Sequence, residues 1–309
     1  PASEGGGSRV VGRECAFMVK RVKSRWVDLV LLLLCIAAGI FFYFRLKYGL
    51  KSNINFADMG RFFFARDPET GRWEARFLML GLIATVKISI WSMIPATIVG
   101  VILGIFRTSG NLFMRMVGRT YVETIRNLPP LVLIYIFYFF VADQIMSLIG
   151  VDGFVRGLSE QTQGILAFLF ADKTVFVPFL SGVLTLAFFV GAYITEIVRA
   201  GIESVETGQR QASYSLGLSW LDEMRFIILP QAIKVVVPAL ANEYINVVKY
   251  SSIMSVVSIQ ELTYMGVQVN LLKSDLLTVW LTISLMYIVL TSGLSLIANR
   301  LEVRMARSS

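Results

Sequence analysis

Histidine does not occur in this 309-residue chain, and cysteine occurs only twice. Without histidine, zinc and haem sites lose their commonest ligand, and acid–base catalysis near neutral pH loses its commonest group. Cys15 sits in a polar tail and Cys35 inside an apolar run. A bridge between them would join a solvated tail to a buried position, so both read as free thiols. Charged residues make up 16% of the chain, and no G-x-x-x-x-G-K-[ST] phosphate loop is present, so no Walker-type nucleotide cradle is supplied. No nucleophile-and-base pair or metal-ligand cluster stands out, which argues against an enzyme and leaves no metal site. No internal repeat of fixed period is visible, so any two-fold pathway needs a second subunit.

What is abundant is hydrocarbon: 56% of the residues are hydrophobic, too many for an ordinary water-soluble domain. A helix needs about 20 apolar residues to cross a bilayer core of about 30 Å. Six stretches qualify: Trp26–Phe44, Phe77–Phe106, Ile125–Val141, Phe176–Val198, Val235–Ile259 and Leu276–Ala298. The third is the shortest and the second is long enough to tilt. The apolar run Ile165–Ala171 is too short to cross and reads as an interfacial or re-entrant helix. The chain starts at Pro1 rather than methionine, as a processed or truncated chain would, and the Gly- and Ser-rich stretch Pro1–Ser8 reads as disordered. Basic residues ahead of Trp26 superficially resemble a signal peptide, but no small-residue cleavage site follows, so a retained span is the better reading.

A net charge of +8 could suggest nucleic acid, but basic residues interleaved with apolar spans report orientation instead, and no nucleic-acid partner is expected. With the N-terminus cytoplasmic, the inner segments hold 17 of the 29 Lys and Arg residues and the outer ones 10. Both termini then lie inside. The segment 45–76 dissents, with seven basic residues on the outer side. The resulting division is a cytoplasmic tail over 1–25, a peripheral span and external loop over 26–76, a core over 77–298 with a cytoplasmic loop at 199–234, and a cytoplasmic tail over 299–309.

The stretch GQRQASYSLGLSWLDEMRFIILP, residues 208 to 230, is unusually polar for its surroundings. Gly208–Leu216 can form a short helix, Gly217 permits a turn, and Ser219 with Asp222 three residues later is an N-cap signal for a second helix. Leu221, Met224 and Ile228 then recur on one face until Pro230 interrupts the pattern. Such a pair is either a surface feature packed on its own domain or a knob for a groove on another protein.

Gln211-Ala212-Ser213, three residues, Gly217, nine residues, Ile227, one residue and Leu229-Pro230 together resemble the cytoplasmic "EAA" signature of ABC importer permeases. In that family the loop forms a coupling helix that docks on the ATP-hydrolysing subunit; small residues matching Ala212 and Ser213 let it seat closely, and the glycine matching Gly217 makes the turn. Gln211 stands here for the usual Glu and Ser213 for the usual second Ala. The resemblance covers about Gly81 to Arg300 and is strongest to the polar amino acid uptake permeases. It is carried also by GLIATVKISI from Gly81, YVETIRNLPPLV from Tyr121, YITEIVRAGIESVETGQ from Tyr193 and LPQAIKVVVPALANEYINVVKYSSI from Leu229. Asn127 and Leu128 stand where Gly and Thr are usual, and Leu133 where Gln is common. The resemblance implies an all-α integral membrane protein of the type I importer permease fold, with a five-helix core and Trp26–Phe44 as an added peripheral helix.

Polar groups are costly in hydrocarbon, so their positions suggest a pathway. Asn242, Asn246 and Lys249 fall on one face of the fifth span. They could serve a carboxylate-bearing amino acid or act as interhelical glue. Pro238 in that span could break the helix and free backbone groups. Tyr193, one turn from Glu196, is a further lining candidate, as is Glu196 itself. Glu196 with Arg199, and Glu123 with Arg126, read as structural ion pairs near cytoplasmic span ends. Lys87 has no local partner, so it snorkels or pairs with another helix.

The expectation is the permease subunit of an ATP-driven importer of polar L-amino acids in a bacterial inner membrane. The resemblance implies a second permease chain, identical or sister, two ATPase subunits, a substrate-binding protein and the lipid bilayer as partners. ATP and Mg would be held by the ATPase and no cofactor by this chain. The rival is an ion-coupled secondary transporter or channel, with residues 208 to 230 as a gate and Lys249 or Glu196 as an ion site.

Overall fold

The computed structural model describes residues 25–49, 56–68, 71–273 and 275–307; Cys15 and the stretch Pro1–Ser8 lie outside them. The chain divides into two compact units, Pro1–Ile54 and Asn55–Ser309. The first contains helix α1, Arg25–Gly49. Its stretch Leu29–Arg45 is apolar on every side and exposed throughout, the pattern of a helix solvated by hydrocarbon. Cys35 is a free, exposed thiol.

The second unit opens with a 3-10 turn at Ala57–Met59, helix α2 at Gly60–Phe63 and an antiparallel hairpin of β1, Phe64–Arg66, with β2, Trp73–Ala75. Phe64 faces Ala75 and Arg66 faces Trp73, and Arg66 Nε donates to the Gly71 carbonyl at 2.8 Å to close the turn. Helices then follow: α3 Phe77–Thr108, α4 Leu112–Asn127, α5 Pro130–Phe137, α6 Asp143–Ile149, α7 Val151–Arg156, α8 Glu160–Leu169, α9 Phe176–Glu203, α10 Thr207–Ser215, α11 Trp220–Glu223, α12 Leu229–Tyr250, α13 Leu262–Lys273 and α14 Leu276–Arg307. Wide π turns at Tyr138–Ala142 and Met224–Ile228 join α5 to α6 and α11 to α12. Among the described residues, five segments are long and apolar enough to cross a membrane: Phe77–Thr108, Pro130–Ile149, Phe176–Glu203, Trp220–Val257 and Leu276–Arg300.

The third span starts at Pro130 rather than Ile125 and ends at Ile149 rather than Val141. Proline disfavours helix in the residue before it, and Leu128 is extended ahead of Pro129. Ile125 instead belongs to the buried stripe of amphipathic α4, with Gly118 and Val122. Pro230 does not end the next helix. It occupies the first turn of α12, where its missing N–H is no loss. The π turn before it lets the Leu229 N–H reach back to the Met224 carbonyl, so the helix passes the ring unbroken. Pro238 likewise lies inside a continuous α12. Helix α14 continues to Arg307, through most of the stretch read as a tail.

Helix α9 is the axis of the second unit: Leu186, Phe189 and Ile194 are fully buried. Helix α3 lies against it at backbone distance because Gly100 and Gly104 carry no side chain. A Cβ at Gly100 would fall 2.4 Å from Ile194 Cγ2, and one at Gly104 2.6 Å from Val198 Cβ. Small residues four apart are the usual device for close packing in lipid, where burial of apolar surface drives nothing. A second cluster, including Leu78, Leu262, Val269 and Ile283, joins α3, α13 and α14.

The run Ile165–Ala171 ends α8. Its terminal carbonyls are taken up by α3, with Lys87 Nζ donating to Ala167 O at 2.8 Å and Trp91 Nε1 to Leu169 O at 2.9 Å. The Trp91 ring stacks on Phe170 at 4.1 Å.

Candidate functional site

The candidate residues fall into three places. The first is the loop beneath α9. Arg210 Nη2 donates to the Ile202 carbonyl at 2.8 Å and ties α10 to the end of α9. Gly217 turns the chain with φ +73°, and Ser219 Oγ accepts from the Asp222 N–H to start α11. Gln211 and Ala212 are exposed, as are Leu229 and Pro230, while Ile227 is half-buried. Ser213 is buried against its own domain and its hydroxyl donates to the Arg210 carbonyl. Of the two small residues expected to seat a partner, only Ala212 faces outward, because adjacent helix positions point about 100° apart. Of the expected apolar stripe, Met224 and Ile228 are buried but Leu221 is 70% exposed. Tyr214, Leu216 and Phe226 are likewise exposed.

The second place is the C-terminal end of α9. Glu196 pairs with Arg199 on its own helix and with Arg107 at the end of α3, and Arg199 pairs also with Glu203. Glu123 does not pair with Arg126. It accepts from Arg119 Nε at 2.6 Å, one turn back on α4, while the Arg126 guanidinium lies 5.6 Å from the Tyr193 ring centre. A cation over an aromatic face is stabilised by the ring quadrupole, and Arg126 also lies within the field of the Glu196 carboxylate. Arg107, Glu123, Arg126 and Glu196 together line an open cavity of about 260 Å³. Tyr193 in turn packs against Phe189 and Tyr250, with ring centres 5.2 and 6.1 Å away.

The third place is a groove between α12 and α14. Asn242, Asn246 and Lys249 share it with Thr291, Ser292 and Ser295, around a cavity of about 330 Å³. A neighbouring cavity of about 270 Å³ shares Lys249 and Thr291 and reaches Tyr287. Glu243, which the polar stripe did not include, lies on an adjacent face of α12 and is 6% exposed. One of its carboxylate oxygens accepts from Asn246 Nδ2 at 3.2 Å. The other, Oε1, is buried with no hydrogen-bond partner among the described residues. A carboxylate inside an apolar span was itself the signal that could have singled it out. A second missed carboxylate, Glu261, lies between the last two spans and is fully buried. It accepts from Tyr287 Oη at 2.7 Å and from the Tyr264 N–H at 2.8 Å.

Residues 78–307 match the family described as binding-protein-dependent transport system inner membrane component. The chain belongs to this family. Over 233 residues it is 34% identical to the probable glutamine ABC transporter permease protein GlnM of Bacillus subtilis, covering 74% of this chain and 94% of that one. It is 30% identical to the glutamine transport system permease protein GlnP of Escherichia coli, over 75% of this chain and 95% of that one. Among solved structures, that of an amino acid ABC transporter with histidines superposes with a TM-score of 0.59 at 29% identity, over 74% of this chain and 94% of that one. The permease therefore has the type I importer fold, its five-span core preceded by α1. Family membership does not favour the ion-coupled transporter or channel.

Proposed function

We propose that this permease carries polar L-amino acids across a bacterial inner membrane with both termini cytoplasmic. It pairs with a second permease chain, identical or sister, and is driven by two ATPase subunits that hold ATP and Mg. A substrate-binding protein delivers the cargo. The permease itself performs no catalysis and holds no cofactor. ATP binding draws the two coupling loops together beneath the membrane, which opens the helices outward; hydrolysis resets them.

The observation that carries the cargo assignment is the charge pattern of α12. Buried Glu243, one of whose oxygens has no hydrogen-bond partner among the described residues, and Lys249 lie six residues apart, about 9 Å along the helix. Asn246 connects them, bonding Glu243 while lining the Lys249 groove. Lys249 can take the carboxylate of an amino acid and the Asn242 and Asn246 amides its polar groups, while Glu243, about 120° around α12 from Lys249, adds a negative charge beside that groove. The relatives named for glutamine, and the E. coli glutamate/aspartate import permease at 31% identity, support the same reading.

The test is uptake by the complete importer in proteoliposomes. Glu243→Gln and Lys249→Met are each expected to lower uptake about tenfold or more, the worth of a charged hydrogen bond, while the subunits still copurify. Uptake that ignores vanadate and collapses with the proton gradient would instead mark a secondary transporter.

A further inference from the structure

A cavity of about 360 Å³ between α3, α8 and the start of α9 plays no part in the reading above. Leu80, Ile83, Phe170, Val175 and Phe179 give it largely apolar walls, and Lys87 and Asp172 supply one charge of each sign. Leu80 and Ile83 are exposed on α3 together with Ile90, Ile94 and Ile98. An all-apolar exposed stripe on a spanning helix faces hydrocarbon, so the cavity opens to the bilayer and not to water alone.

The two residues sit at different levels along the helices. Lys87 precedes Ile88, whose Cδ1 would lie 3.2 Å from a Cβ at Gly182. That places it six residues, about 9 Å, inward of Phe176, where α9 begins. Asp172 lies ahead of that beginning and accepts from Thr174 N and Oγ1 at 3.0 and 2.9 Å. Neither residue forms an ion pair among the described residues, and Lys87 uses one of its three N–H groups on Ala167.

We propose that this cavity binds one ethanolamine phospholipid, its phosphate on Lys87, its ammonium at Asp172 and one acyl chain along the apolar wall. In such a lipid the phosphate lies inward of the ammonium, which matches the order of the two side chains. A free amino acid carries the same charges but brings no hydrocarbon to cover Leu80, Ile83 and Phe179.

Native mass spectrometry of the complete importer, titrated with phosphatidylethanolamine or phosphatidylglycerol of identical chains, tests this. One ethanolamine lipid per permease chain should be retained about fivefold better than the glycerol lipid, which has no ammonium for Asp172. Asp172→Asn should erase that preference. Ala84→Leu fills the cavity without touching either charge and should weaken retention of both lipids at an unchanged unfolding temperature. Ala171→Leu serves in its place if the first variant is unstable. Equal retention of the two lipids by the unaltered importer, retention indifferent to the filling substitutions, or displacement of the lipid by free glutamine would each overturn the proposal.

Discussion

The ammonium of Lys87 donates to the carbonyl of Ala167 at 2.8 Å, a bond between residues 80 apart in sequence. It closes the end of α8, where the last carbonyls of any helix lack partners. Water cannot serve them within hydrocarbon, and a cation at a helix C-terminus is favoured by the dipole as well. Trp91, one turn along α3, serves Leu169 in the same way. Lys87→Met should loosen α8 by about 1.5–3 kcal/mol, seen as faster hydrogen exchange over residues 160–171, whereas Lys87→Arg should retain protection. Unaltered exchange in the methionine variant would rule out the capping role.

Gly217 adopts φ +73°, yet nothing lies within 4 Å of where its Cβ would be. Substitution there acts through the backbone alone, since a left-handed conformation costs most residues about 1–2 kcal/mol and asparagine less. Gly217→Val should cut substrate-stimulated ATPase activity of the importer several-fold and Gly217→Asn should spare it, with the spans unfolding at the same temperature in both. Equal activity in the valine variant would detach the turn from coupling.

The spans were legible because an unbroken apolar run of about 20 residues suits little besides a bilayer core. The third span differs because Ile125 is apolar for another reason, as part of the buried face of α4, and because hydropathy outweighs the Pro129-Pro130 break; the fifth starts before Val235 because the π turn carries the helix through Pro230. Helical spacing brought Asn242, Asn246 and Lys249 together, and Glu196 with Arg199, since those relations are local. Arg107 lies 89 residues from Glu196, a distance no periodicity spans. Glu123 had a cation available in either direction along α4, and Arg126 faces Tyr193 and Glu196 of another helix instead. The hairpin Phe64–Ala75 has strands of three residues, too short for alternation to register.

Glu196 holds two arginines from two helices, and its side chain is 26% exposed against 17% for Arg107. Partial solvation lowers what the pair contributes, but removing only one partner leaves a charge uncompensated. Glu196→Gln and Arg107→Met should each destabilise the permease by about 1–2 kcal/mol, and the double variant by about 1 kcal/mol less than their sum. Thermal unfolding of the four proteins of the cycle measures this; additive losses would mean that the pair contributes no coupling between α3 and α9.

Glu261 has no Lys or Arg paired with it among the described residues, and Tyr287 is the titratable group that faces it. Burial pushes its carboxyl up to about 7 from an ordinary 4.5, against the hydrogen bonds from Tyr287, Thr263 and Tyr264, which favour the charged form. Between those two values the folded chain keeps a proton that the unfolded chain has released, so stability falls as pH rises through that window. The loss is complete above about pH 7 and amounts to at most about 3 kcal/mol. Glu261→Gln keeps an acceptor for the Tyr264 N–H and cannot ionise. It should therefore flatten the fall in unfolding temperature between about pH 5 and about pH 8 and raise the value at the alkaline end. A variant as pH-sensitive as the unaltered permease would show that Glu261 keeps an ordinary titration in the fold and overturn this reading.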